Sequence, residues 1–148
     1  MMMHKLFRRL ALISLLVIAT GAMPQAMASD LVIITHPGTN IEGISMTELF
    51  NIYMGTTKSF SDGSRARPAH QEKTRPARSA FVKKVLKKTE SQISRYWSRR
   101  KFSGKGSPPE TLKDNQAVQK WVKETPGGLG YIEGRHLGRG VKVLLIIP

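Results

Sequence analysis

The stretch HQEKTRPARSAF, His70 to Phe81, marks the place where an extended segment hands over to a helix. Before it, RARPAH follows the Ser61–Gly63 turn and reads as a short extended piece. Within and after it, Ala77, Phe81, Val82, Val85 and Leu86 recur at helical spacing and predict a buried stripe. Thr74 is a candidate cap for a helix beginning at Arg75, with Pro76 tolerated in the first turn. The turn carries Lys73, Arg75 and Arg78 against one acid, Glu72. A helix N-terminus attracts anions through its unpaired amides, so cations placed there do not serve helix stability. Two readings stay open: an anion-binding turn, or a basic surface that happens to begin a helix.

Outward from this turn the chain alternates in character. Leu31 to Thr35, LVIIT, is an apolar run closed by Pro37 and Gly38 and predicts a buried strand. Ser45 to Glu48, SMTE, is a capping-box pattern opening a short helix that ends near Tyr53. Thr89 to Gln92, TESQ, is a second capping box, and its helix carries Ile93, Tyr96 and Trp97 on one face. Gly104 to Pro109 is a loop. Asp114 is the candidate cap of a further helix with Ala117, Val118, Trp121 and Val122 inward. LGYI, Leu129 to Ile132, and VKVLLIIP, Val141 to Pro148, read as strands. The predicted order is strand, helix, weak strand, three helices, strand, strand, an α/β or α+β arrangement.

The first residues predict a cleaved segment rather than part of the fold. Lys5, Arg8 and Arg9 precede an apolar run from Leu10 to Ala19, and Ala26-Met27-Ala28 supplies a small-residue cleavage pattern. The run is shorter than the roughly 20 residues a membrane span needs. The expected division is a signal peptide over 1–28 and one domain over 29–148, in the periplasm or secreted. Removing three cations takes the formal charge from +14 to +11. Such an excess points to anionic partners, and export excludes intracellular nucleic acid. No second apolar span follows. With no cysteine in the chain, disulfides and thiolate chemistry are excluded.

Catalytic and metal patterns are missing. His36, His70 and His136 stand far apart without ligand spacing and read as independent surface or loop residues. There is no nucleophile elbow, and Glu48 and Asp114 already have capping roles. SGKGSPP sets its lysine between glycines ahead of two prolines, which does not make a phosphate loop. A non-enzymatic protein without cofactor is expected. Lys83, Lys84, Lys87 and Lys88 fall on the solvent side of their helix. They form either an ordinary solvated face or a surface for a polyanion, a membrane or an acidic partner.

The segments from Leu31 to Pro68, RSAFVKKVL, RYWSRRKFSGKGSPPE and TPGGLGYI together resemble phosphate-type periplasmic solute-binding proteins, best their short, stand-alone members. The resemblance covers nearly all of 29–148. It implies an α/β fold, a single lobe of the type II periplasmic-binding-protein kind, with a small sheet flanked by helices. It also implies binding of phosphate or another oxyanion, linked to an ABC importer or a sensor. The family's Ser-Gly-Thr phosphate turn falls near Lys73 to Ser79, where this chain has Thr74, Arg75, Pro76, Ala77, Arg78 and Ser79. The glycine that lets amides approach an oxyanion is replaced, and Pro76 deletes one donor. Thr74, Arg75, Arg78 and Ser79 are therefore the candidate anion ligands, with arginines able to grip an oxyanion bidentately.

Overall fold

Five consecutive buried side chains, Leu31–Thr35, form β1, and a strand buried on both faces must sit inside a sheet covered on both sides. Alternation sends Leu31 and Ile33 to one side and Val32 and Ile34 to the other, so β1 feeds two cores at once. The computed structural model describes residues 30–148; the signal peptide expected over 1–28 lies outside the described residues. After β1 come α1, Met46–Tyr53; β2, Arg67–Gln71; α2, Pro76–Phe81, which runs on as a π-helical turn over Val82–Leu86; and α3, Glu90–Phe102. Then follow β3, Glu110–Leu112; α4, Asn115–Glu124; β4, Gly128–Glu133; a 3-10 turn over Gly134–His136; and β5, Lys142–Ile147.

The strands form one sheet in the order β3-β2-β4-β1-β5. β2 runs parallel to β3 and β4, while β1 is antiparallel to β4 and β5. The larger core packs residues of α1, α2 and α3 against Leu31, Ile33, Leu129 and Tyr131. The smaller core sets Val118 and Val122 of α4 against Val32, Ile34 and Ile132. α4 approaches so closely that a Cβ on Gly130 would lie 2.5 Å from Val118 Cγ1, so a side chain there would push the helix off the sheet.

An aromatic group ties the larger core together. Phe81 stacks on Tyr131 at 4.1 Å between ring centroids, and Tyr53 meets Phe81 at 4.4 Å. The Tyr53 hydroxyl donates to Ala69 O at 2.9 Å, binding α1 to the sheet where an unpaired phenol would be costly.

Local signals hold where the chain makes them locally. Thr89 and Gln92 form the full reciprocal capping box, and Asp114 accepts from Ala117 N. Ser45 accepts from Glu48 N, but the Glu48 carboxylate accepts from Ser61 N at 2.8 Å instead of reaching back. It pins the loop that the sequence pairs with nothing. Three expectations are corrected. α2 is capped at Arg75 and starts at Pro76; Thr74 lies before the cap, and no side chain caps this helix. The strand β3 was not expected, because its three residues show no alternation and take their conformation from pairing with β2. His70 is neither a surface nor a loop residue: it is buried in β2.

Candidate anion-binding site

Strand order locates the crevice before any side chain does. From β2 the chain crosses through α2 and α3 to β3 on one side, then through α4 to β4 on the other. Strand order reverses at β2, and ligands of open α/β sheets bind outside the carboxyl ends of the strands at such a switch point. The Gln71–Ser79 turn stands at this place, and α2 and α4 both begin there.

The crevice floor is a polar network that leaves one buried acceptor, Gln71 Oε1, without a partner. Gln71 Nε2 donates to Asn115 Oδ1 and to Tyr131 O, each at 2.9 Å. Asn115 Nδ2 donates to Glu133 Oε2 at 2.9 Å, and Glu133 Oε1 accepts from Arg135 at 2.9 Å. These side chains join β2, α4 and β4 at their meeting point. They also bring a carboxylate, Glu133, to the edge where an anion would approach.

The four predicted residues separate into two groups. Thr74 and Ser79 are exposed and Arg75 is half-buried. Arg75 Nε donates to Lys113 O at 3.0 Å, which holds the guanidinium over the β3–α4 connection and leaves Nη1 and Nη2 for a ligand. The first-turn amides of Ala77 and Arg78 have no side-chain cap above them. The Arg78 side chain instead turns into the body of the protein. It is buried and donates from Nε and Nη2 to both Glu90 oxygens, at 2.7 and 2.9 Å. Burial by itself would lower its pKa, but the Glu90 carboxylate and the Tyr131 hydroxyl beside it outweigh that and hold it above the usual arginine value. Its charge is already matched. No local pattern in the sequence pairs Arg78 with Glu90, twelve residues on.

Arg78 and Lys73 also border a cleft of about 300 Å³ that lies between α3 and the β2–β3 edge. His70, Trp97, Lys101 and Thr111 complete much of its wall. His70 is held neutral, its pKa pushed well below the usual histidine value by burial first and by the Arg78 charge second. The sequence does not reveal this cleft because its walls come from four elements, β2, α2, α3 and β3, joined only by folding.

The four lysines Lys83, Lys84, Lys87 and Lys88 lie on the solvent side as expected, two exposed and two half-buried. Lys84 Nζ donates to Pro148 O at 2.7 Å, and Lys87 ends the π-helical turn in a left-handed conformation, φ 50°. Lys88 lines a separate groove on α3 with Arg95 and Arg99. Among the described residues no cluster of three or more His, Asp or Glu side chains forms a metal site, and no helix is long and apolar enough to cross a membrane.

The fold defines a class. It is a mixed α/β unit matching a single lobe of periplasmic-binding-protein-like structures. An ABC-type phosphate transport receptor from Vibrio cholerae superposes with a TM-score of 0.62 at 12% identity, over 80% of this chain and 47% of that one. PstS from Borrelia burgdorferi superposes with a TM-score of 0.58 at 18% identity, over 77% of this chain and 46% of that one. The chain thus spans about half the length of these structures, and identities this low speak for the fold alone. No protein-family model and no curated protein matches the sequence.

Proposed function

We propose that this chain is a non-enzymatic solute-binding-type protein that takes phosphate or another oxyanion at the Thr74–Ser79 turn. It would act in the periplasm or outside the cell once residues 1–28 are removed, beside an ABC importer or a sensor. The observation that carries this reading is positional. The turn stands at the topological switch point of a lobe whose structural neighbours include phosphate transport receptors. Arg75 with two free guanidinium nitrogens, the uncapped amides of α2 and the hydroxyls of Thr74 and Ser79 supply the donors. With Pro76 giving no amide and Arg78 engaged by Glu90, donors are few, so binding is weak and tolerant of sulfate. Calorimetric titration with phosphate and with sulfate at millimolar concentration is expected to give heat that Arg75→Ala removes. Absence of heat, together with an unchanged melting temperature, overturns the reading.

A second reading is favoured by the groove where Lys88 meets Arg95 and Arg99 with no acid in its lining. On this reading the chain is a basic interaction module that docks a polyanion, an anionic membrane surface or an acidic partner and takes no small ligand. Heparin binding is then expected to fall steeply with salt, as multiple charge contacts do. It is also expected to disappear when Lys83, Lys84, Lys87 and Lys88 are all replaced by alanine. Retention of heparin by that variant removes this reading while leaving the first untouched.

A further inference from the structure

The cleft between α3 and the β2–β3 edge is built from donors and apolar surface, and no carboxylate lines it. Ile93, Trp97, Pro108 and Pro109 supply the apolar part; Lys73 and Lys101 supply charge, and Ser94 and Ser98 hydroxyls. Two of its residues carry a buried polar atom without a partner, His70 Nε2 and Trp97 Nε1. The indole nitrogen is a donor by its chemistry. The imidazole nitrogen is made one by its surroundings. Gln71 N donates to the Tyr131 hydroxyl oxygen at 3.0 Å, and His70 Nδ1 lies 3.0 Å from the same oxygen. If His70 donated to Tyr131, the buried phenolic proton and His70 Nε2 would both go unpaired. If Tyr131 donates to His70 Nδ1, one group is left, the Nε2–H. The second arrangement wastes less, so the neutral ring carries its proton on Nε2.

We infer that this cleft is a binding site for a small organic oxyanion, a carboxylate or phosphate head on an apolar body, distinct from the Thr74–Ser79 turn. Two lining residues with buried N–H groups that lack acceptors, together with two lysines in the same lining, favour a ligand that brings oxygen acceptors and negative charge. A wall of indole, isoleucine and proline favours a ligand that also brings apolar surface. Inorganic phosphate supplies the first property and lacks the second, and a cavity of about 300 Å³ exceeds what it fills.

The test reads the indole N–H of Trp97 directly. Nitrogen-15-labelled protein gives two indole signals, from Trp97 and Trp121, which a Trp97→Phe variant assigns. Phenyl phosphate, benzoate and inorganic phosphate serve as probes. A saturable downfield shift of the Trp97 signal with phenyl phosphate or benzoate, with Trp121 still, is the expected result, and whichever probe binds tighter names the head group. Lys101→Ala, at an exposed position, is expected to weaken that binding about tenfold, as loss of one charge-assisted contact does. Arg75→Ala is expected to leave it unchanged. No shift with either organic probe, an equal shift with inorganic phosphate, an unaffected Lys101→Ala variant, or loss of binding in Arg75→Ala each overturns the proposal. Arg78 belongs to the turn and also lines the cleft, but Arg75 does not line it, so the calorimetric test with Arg75→Ala passes or fails separately.

Discussion

Glu90→Ala is expected to lower folding stability by about 3 kcal/mol and, in the same variant, to make phosphate more stabilising than it is in the parent chain. The first effect follows from what alanine leaves behind. The Arg78 side chain is 5% exposed and that of Glu90 33%, so removing the carboxylate strands a guanidinium in the interior. Breaking a buried ion pair by deleting one partner costs about 3–5 kcal/mol, and the partial exposure of Glu90 places this pair at the low end. For a domain of this size the melting temperature should fall by roughly 10 °C. The second effect follows from the position of Arg78 in the first turn of α2, within the proposed anion turn. Without Glu90 its charge has no partner, and an oxyanion at the turn becomes the nearest replacement. Thermal melts of parent and variant with and without millimolar phosphate measure both effects, since a ligand of the folded state raises its stability with concentration. An equal phosphate response in the two proteins would mean that Arg78 has no access to the turn.

The second large effect is a pH dependence centred on His70. Folding holds this residue neutral, its pKa pushed well below that of a free histidine by burial and then by the Arg78 charge. The unfolded chain takes up the proton as pH falls through about 6.5, whereas the folded chain does not. Below that pH the unfolded state therefore binds more protons and is favoured. Stability is full above about 6.5 and is lost on acidification until the folded-state pKa is reached, at about 1.4 kcal/mol per pH unit. Urea unfolding at pH 7.5 and 5.0 checks this against His70→Gln. That variant is expected to be less stable at pH 7.5, because it disturbs the bond to Tyr131, and to lose less stability than the parent on acidification. Equal losses in both proteins would place the acid sensitivity elsewhere.

Both predictions turn on partners that no sequence window contains. Helix caps were legible because the bonds that define them span three residues: Thr89 with Gln92 and Asp114 with Ala117. The burial of β1 was legible because four apolar residues in a row, Leu31 to Ile34, leave no face for water. The reciprocal bond of Glu48 was not, because a loop amide thirteen residues away competed for its carboxylate and won. The start of α2 was misplaced by one residue because both Thr74 and Arg75 fit before Pro76, and the choice was made by the turn that bonds Arg75 N to Glu72 O. The strand β3 was invisible because a three-residue edge strand acquires its conformation from its neighbour.

The same division runs through the site. The chain by itself determined the presence of a basic turn before a helix and the order of elements that sets this turn at a strand end. These follow from local sterics, capping and apolar periodicity, which act within a few residues. Tertiary structure alone decided that Arg78 spends its charge on Glu90, that His70 is buried in the lining of a cleft with Nε2 unpaired, and that Trp97 and Lys101 share that cleft with Lys73. Such choices depend on which groups are brought together out of water, where an unmet charge or donor is expensive. That is settled by packing across the whole sheet.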